Sequence, residues 1–244
     1  MAQNIKYASG FRLRAAEERG LADHGWLKSA HSFSFGNYFD PEHLQFESLR
    51  VINDDRVAGG KGFPMHPHQN AEIFSYVLDG ALSHKDTLGN GSTVKAGGVQ
   101  YMSAGSGVRH SEYNPSETEE MAFLQIWLLP NIENEAPRYE TMDIAPKDKD
   151  GKLKLFLSKD GREGSMHIRA DADIYAATLD GKQSITFDMP EGNKAWVQVA
   201  RGSIFVNGES LRRGDGLAVS QSGRLAFTKA IDAEFLLFDL EAAA

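Results

Sequence analysis

Turn signals recur along almost the whole chain at short intervals, and that spacing constrains the fold more than any other feature. Asn53-Asp54, Asp79-Gly80, Gly89-Asn90-Gly91, Gly97-Gly98 and Gly105-Ser106-Gly107 punctuate the first half. Gly192-Asn193, Arg201-Gly202, Asn207-Gly208, Gly214-Asp215-Gly216 and Ser222-Gly223 do the same in the second. Residues of these types tolerate positive φ or hydrogen-bond their own backbone, which is what a tight turn needs. The runs between them are short, apolar and rich in β-branched and aromatic residues: Ile73 to Leu78, Met121 to Leu129, Trp196 to Val199, Ser203 to Val206, Glu234 to Leu240. Many short strands at this spacing imply an all-β chain folded as sandwiches or barrels. Helical periodicity is visible only over residues 13–19.

With 244 residues the chain has room for one large domain or two of about 120 each. The stretch from Pro130 to Lys152 is polar, contains proline and is dense in charge, and it reads as an inter-domain linker with strand character near Arg138 to Met142. A weak repeat flanks it. Val77 to Gly80, a strand, Gly97-Gly98 and Met102 are echoed by Val199 to Gly202, a strand, Gly214 to Gly216 and Val219, as duplication would produce. The expected domains are 1–135 and 136–244.

There is no cysteine, which excludes a disulfide framework, a thiolate zinc site and a cysteine nucleophile, and fits a reducing compartment. The first twenty residues contain no apolar core of a secretory signal, and no apolar stretch approaches the ~18 residues of a membrane span, so a soluble cytoplasmic protein is expected. The net charge is −8. Residues 1–135 hold 11 basic and 17 acidic side chains and the remainder 15 and 17, net −6 and −2. Neither half has the positive excess that binding a phosphate backbone requires, so direct nucleic-acid recognition is not expected.

Chemistry concentrates at two short motifs. His66-Pro67-His68 places two imidazoles at i and i+2, which share a face on an extended strand. Pro67 favours an extended backbone and cannot sit in mid-ladder, so the pair belongs near a strand end or edge. His110-Ser111-Glu112 repeats the spacing. A second strand lying opposite the first would add one imidazole and one carboxylate. Three nitrogens and an oxygen with open positions suit iron, nickel, copper, manganese or cobalt, whereas a closed zinc site would more often use thiolates. The bland alternative is a set of surface histidines. Glu72 shares strand parity with His66 and His68, so it is a candidate fourth ligand, an acceptor for an imidazole N–H, or a strand-edge charge. His24, His31, His43, His84 and His167 have no partner at ligand spacing and read as structural or surface residues.

The run from Gly60 through His66, His68 and Glu72 to Gly80 resembles the first cupin motif, G-x5-H-x-H-x3,4-E-x6-G, with seven positions instead of six before the last glycine. Gly107, His110 and Asn114 match the second motif, with Gly105 where proline is usual. Both departures, and the H-x-E form, are typical of pirins. Asp23 to Leu27, His31 to Gly36, Leu49 to Asp55, Gly105 to Glu112 and Gln125 to Trp127 also look like bacterial pirin-like proteins with quercetin 2,3-dioxygenase activity. The resemblance spans nearly the whole chain and is strongest from Gly20 to Tyr139. It implies two tandem jelly-roll cupin domains with metal only in the first, and the second half indeed has one histidine, His167, and no H-x-H. It maps the ligands onto His66, His68, His110 and Glu112, leaving Glu72 outside. The aromatic segment His31 to Phe39 either lines the pocket mouth or belongs to the core.

The expected function is oxidative cleavage of quercetin or a related flavonol by O2, with Glu112 taking the proton of the 3-hydroxyl. The resemblance implies carbon monoxide release, a depside product and one divalent transition metal, with Fe(II) the expected ion and Ni, Cu, Mn, Co or Zn as alternatives. A second reading comes from pirins that act as regulatory proteins. There the metal is a redox-sensitive structural element, and the acidic first half docks a basic protein partner.

Overall fold

A computed structural model gives the structure of the protein and describes residues 10–242. The expectation that the N-terminus carries no export signal rests partly on residues 1–9, which lie outside the described residues. The first strands are β1 (Phe11–Arg14), β2 (Gly20–Asp23), β3 (Leu27–His31), β4 (Leu49–Val57), β5 (Gly62–His68) and β6 (Glu72–Asp79). Next come β7 (Ala81–Asp86), β8 (Gly91–Lys95), β9 (Gly98–Ser103), β10 (Val108–Tyr113), β11 (Met121–Leu128) and β12 (Arg138–Asp143). The second half supplies β13 (Lys154–Ser158), β14 (Met166–His167), β15 (Ala172–Leu179) and β16 (Ile185–Asp188). It ends with β17 (Lys194–Val206), β18 (Glu209–Arg212), β19 (Gly216–Val219) and β20 (Arg224–Leu240).

The all-β expectation holds, with two cupin units. In the first, a seven-stranded sheet ordered β12-β9-β6-β11-β4-β3-β2 faces a four-stranded sheet ordered β5-β10-β7-β8. Alternation decides what each face of the larger sheet meets. On β6 and β11, Phe74, Tyr76, Leu124 and Ile126 point outward and join Phe156, Ile174, Trp196 and Phe238 of the second unit in one shared core. Val77, Met121 and Phe123 point inward, where they close one end of the first barrel with Leu82 and Val94. The second unit is a nine-stranded sheet around its own core, which includes Val197, Ile204, Phe227 and Phe235. No helix among the described residues is long and apolar enough to cross a membrane.

Two strands cross the expected division at residue 135. β12, from the stretch read as a linker, pairs with β9 of the first unit, while β1 pairs with β19 of the second. With those two exchanges, 1–135 and 136–244 is the division we propose. Residues 13–19 form no helix beyond the single 3-10 turn Ala16–Glu18, because Phe11 and Leu13 are drawn into the edge strand β1 and pack on the second core.

Two expected turns are strand interior. Asn53-Asp54 lies in the middle of β4, where Asn53 bonds His31 across the ladder and Asp54 pairs with Arg19 instead of turning the chain. Arg201-Gly202 interrupts the ladder without ending β17, and Gly202 (φ +62) absorbs one of the register shifts there, as a β-bulge does. Asn207-Gly208 behaves as expected. Both residues have positive φ and close the β17–β18 hairpin.

Candidate metal centre

β5 and β10 run antiparallel with His110 opposite His66 and Val108 opposite His68. Alternation on β5 sends both its imidazoles to the barrel side, and His110 arrives from across the ladder. The ring centroids are 4.8 Å apart for His66 and His68, 4.5 Å for His66 and His110, and 4.9 Å for His68 and His110. One nitrogen from each ring lies within 4.8 Å of the other two. Among the described residues this is the one such grouping of metal-capable side chains.

The three rings are prepared to donate lone pairs. Burial pushes His68 down to about 4 and His110 to about 2, and the neighbouring imidazoles push the same way, so both are neutral at pH 7. His66 Nδ1 lies 2.7 Å from the Pro64 carbonyl oxygen, which can only accept, so the proton is on Nδ1 and Nε2 is free. His110 is 1% exposed, and its Nε2 has no hydrogen-bond partner. A buried ring nitrogen without a partner is costly unless something else satisfies it. Three convergent imidazoles, one of them orphaned in this way, fit a divalent cation.

His84 supports His110 from behind. His110 Nδ1 lies 3.4 Å from His84 Nδ1, and His84 Nε2 lies 3.3 Å from Asp86 Oδ2. Asp86 accepts from Asn90 Nδ2 and from the backbone N–H groups of Leu88 and Asn90, so its orientation is fixed. His84 Nε2–H donates to the carboxylate, His110 Nδ1–H donates to His84 Nδ1, and His110 Nε2 is left bare toward the cluster. His84 also stacks on Tyr139, with centroids 4.1 Å apart. Read as structural from the sequence, His84 is part of the support of the site. The available signal was His84-Lys85-Asp86, a further i, i+2 pair on a strand, the same spacing that marks the other two motifs.

Glu112 is on the inward face of β10 with His110, but its oxygens are not among the donor atoms that converge. A register shift separates the two residues, and three donors hold the carboxylate: Ser75 Oγ at 3.2 Å, Gln125 Nε2 at 3.0 Å, and Gln100 Nε2. Complete burial pushes this carboxyl up to about 7, against those three hydrogen bonds. Gln100 is itself oriented by the Tyr139 hydroxyl, which donates to its Oε1 at 3.2 Å. Thus β12, from the expected linker, reaches the site through Tyr139.

Glu72 is on the opposite face of the sheet. It accepts from Tyr101 Oη, from Ser103 Oγ at 2.6 Å and from the Arg169 backbone N–H at 3.1 Å, and so belongs to the seam between the two units. The parity shared with His66 and His68 does not survive the turn at Gln69 to Ala71, where Asn70 adopts φ +49. Neither ligation by Glu72 nor acceptance of a ligand imidazole N–H by it is found.

Of the remaining histidines, His43 bonds Asp40 at 2.8 Å, and exposed His167 contacts Arg138. His24 and His31 line a cavity of about 380 Å3 between β3 and β5. The aromatic segment divides its roles. Phe33 packs in the shared core 4.9 Å from Trp196, Phe35 and Tyr38 line that cavity, and Phe39 is 73% exposed. Trp127 bridges cavity and centre, its ring 5.5 Å from Phe35 and 4.8 Å from His68.

The Pirin family profile matches residues 12–128, and the profile described as the quercetinase C-terminal cupin domain matches residues 155–240. The chain is 45% identical over 229 residues to a quercetin 2,3-dioxygenase of Escherichia coli K12, covering 93% of this chain and 97% of that one. It is 40% identical over 224 residues to a pirin-like protein of Caulobacter vibrioides, covering 91% and 96%. The bacterial pirin YhhW of Escherichia coli, solved in complex with nickel(II), superposes with a TM-score of 0.91 at 42% identity, over 96% of this chain and 100% of that one.

Proposed function

Because the chain belongs to the pirin family and carries two cupin units, we propose that it is a metal-dependent dioxygenase that cleaves quercetin or a related flavonol with O2. Carbon monoxide leaves, and the remaining oxygen and carbon atoms stay in a depside. The observation that carries this reading is the convergence of three imidazoles, with the buried Glu112 carboxyl two residues from His110 on the same face of β10. The proposed ligands are His66, His68 and His110, with Glu112 as the carboxylate that completes the set. Fe(II) and Ni(II) are the ions we favour. The donor set suits both, and a relative takes nickel(II).

When bound, the metal supplies Lewis acidity toward the substrate oxygens and a common meeting point for flavonol and O2. The protein's own groups do the rest. Glu112 accepts the proton of the flavonol 3-hydroxyl. Ser75, Gln100 and Gln125 hold that carboxylate in one orientation. The His84–Asp86 pair keeps the His110 proton on Nδ1. Trp127 packs edge-on to His68 and limits water on that side.

The test is the loss of flavonol absorbance with metal-loaded protein under air and under nitrogen, with carbon monoxide trapped. Consumption that requires O2 and yields carbon monoxide supports the reading. Fully loaded protein that leaves the flavonol intact in air overturns it.

A further inference from the structure

The outer face of β2, β3 and β4 runs past the shared core and ends in a groove. Leu21, Ala30 and Asp54 stand in cross-strand register there, with Lys28 beside Arg56, on the face that carries Ile52 into the shared core. The turn between β18 and β19 brings Arg213 across from the second unit. The groove between them holds about 600 Å3, within the range of small-molecule sites, and none of the residues of the imidazole centre lines it. Four cations do, Arg19, Lys28, Arg56 and Arg213, against the carboxylates of Asp23 and Asp54, on a chain whose net charge is −8. Arg56 is engaged by Glu120 at 3.1 Å. Lys28 and Arg213 are exposed and have no ion pair among the described residues. Arg19 is different. Its side chain is 9% exposed, Nε donates to the Ala16 carbonyl at 3.2 Å, and Nη1 stands 3.6 Å from Asp54 Oδ2, too far for a hydrogen bond. Arg19 Nη1 and Asp54 Oδ1 are both buried without a hydrogen-bond partner. A donor and an acceptor left open side by side are costly unless a third group bonds both.

We propose that this groove binds a small phosphorylated molecule with a hydroxyl close to its phosphate. Lys28, Arg213 and the Arg19 guanidinium hold the phosphate. The hydroxyl accepts from Arg19 Nη1–H and donates to Asp54 Oδ1, which satisfies both open atoms at once. Lys28 and Arg213 bring two charges with no counter-ion of their own, which a dianionic phosphate balances and a single carboxylate does not. A guanidinium also matches the phosphate oxygens in geometry. Gly214 explains how the second unit comes so close. A Cβ there would lie 2.6 Å from Arg19 Nη2, and its φ of +87 suits glycine, so the turn closes over the guanidinium only because it has no side chain at that point. The site is therefore built by both units, and it is independent of the metal centre and of the reaction proposed there.

Glycerol 3-phosphate is the probe, with methyl phosphate, which lacks the hydroxyls, and malate, a dicarboxylate, as comparisons. Binding to metal-loaded protein is followed by calorimetry at low salt. Glycerol 3-phosphate should bind at one site per chain, about tenfold more tightly than methyl phosphate, from the two hydrogen bonds of one hydroxyl. Replacing both exposed cations, Lys28→Met together with Arg213→Met, should weaken it about tenfold or more, with metal content and melting temperature unchanged. Added salt should weaken it as well. Asp54→Ala should erase the preference over methyl phosphate while phosphate binding is kept. Absence of saturable binding of glycerol 3-phosphate to wild type overturns the proposal whether or not the variants fold. Binding that survives the double replacement overturns it too, because phosphate held by the metal itself would behave that way. Equal affinity for methyl phosphate overturns the bridging hydroxyl, and equally tight binding of malate overturns the assignment to phosphate.

Discussion

Replacing His84 with Phe tests whether the geometry behind His110 matters to the metal. Phe preserves the ring that stacks on Tyr139 at 4.1 Å and 12°, so packing is largely kept. What is lost is the acceptor for His110 Nδ1–H, in a residue that is 1% exposed. Leaving a buried donor unmade costs ~1–3 kcal/mol. The His110–His84 contact is long, at 3.4 Å, which argues for the lower part of that range. The ring can also escape by moving its proton to Nε2, which removes the lone pair a cation would use. Either route falls mainly on the metal-bound state, and supports of this kind typically contribute 10–100-fold to metal affinity. We expect Ni(II) affinity to fall about tenfold, equivalent to ~1.4 kcal/mol, with the melting temperature of the metal-free protein changed by only a few degrees. Competition against a chromophoric chelator measures the first and a thermal melt the second. An unchanged dissociation constant would refute the reasoning, and so would a large loss of stability without metal, because then His84 acts as core.

Glu112→Gln keeps the size of the side chain and removes the proton acceptor. Flavonol turnover at saturating metal should drop by about 10²–10⁴, while metal affinity falls only moderately, and near-full activity would exclude Glu112 as the base. Glu72→Gln should leave metal content and turnover nearly intact and cost ~1–3 kcal/mol in urea unfolding, since Glu72 ties Tyr101, Ser103 and Arg169 across the seam between units. Elemental analysis should find one metal per chain, lost when His66 and His68 are both replaced and retained in His167→Ala; a stoichiometry near two would refute the single centre. Burial raises the Asp55 carboxyl from 3.8 to about 7, so the folded state keeps a proton that the unfolded chain releases. Stability from this group is complete below its unfolded value and is lost as pH rises through about 7. Metal-free Asp55→Asn should therefore gain on wild type between pH 5 and 8, by at most ~4 kcal/mol, and a pH-independent difference in unfolding midpoints would contradict this.

Local chemistry settled a good deal in advance. Turn residues at short intervals, with apolar runs between them, are enough for an all-β chain, because φ preference and side-chain alternation are properties of neighbouring residues. The same period of two puts His66 with His68 on one face of β5, and His110 with Glu112 on one face of β10. Asn207-Gly208 could be read as a hairpin for the same reason.

Everything that needed a strand's neighbours was decided by the tertiary structure. Glu72 has the parity of a ligand, yet a turn with one left-handed residue resets the alternation, and the carboxylate faces the seam. Asn53-Asp54 looks like a turn until β3 lies beside it and supplies His31 as the partner of Asn53, while Asp54 pairs with Arg19. His84 and Tyr139 belong to the centre because β7 pairs with β10 and β12 with β9. Pairing of that kind joins residues far apart in the chain, and it follows from register and sheet order, which no local period encodes. The sequence thus determined which side chains could act together on one strand. Only the closed barrel decided which strands stand next to one another, and with that which buried groups are left with a free lone pair.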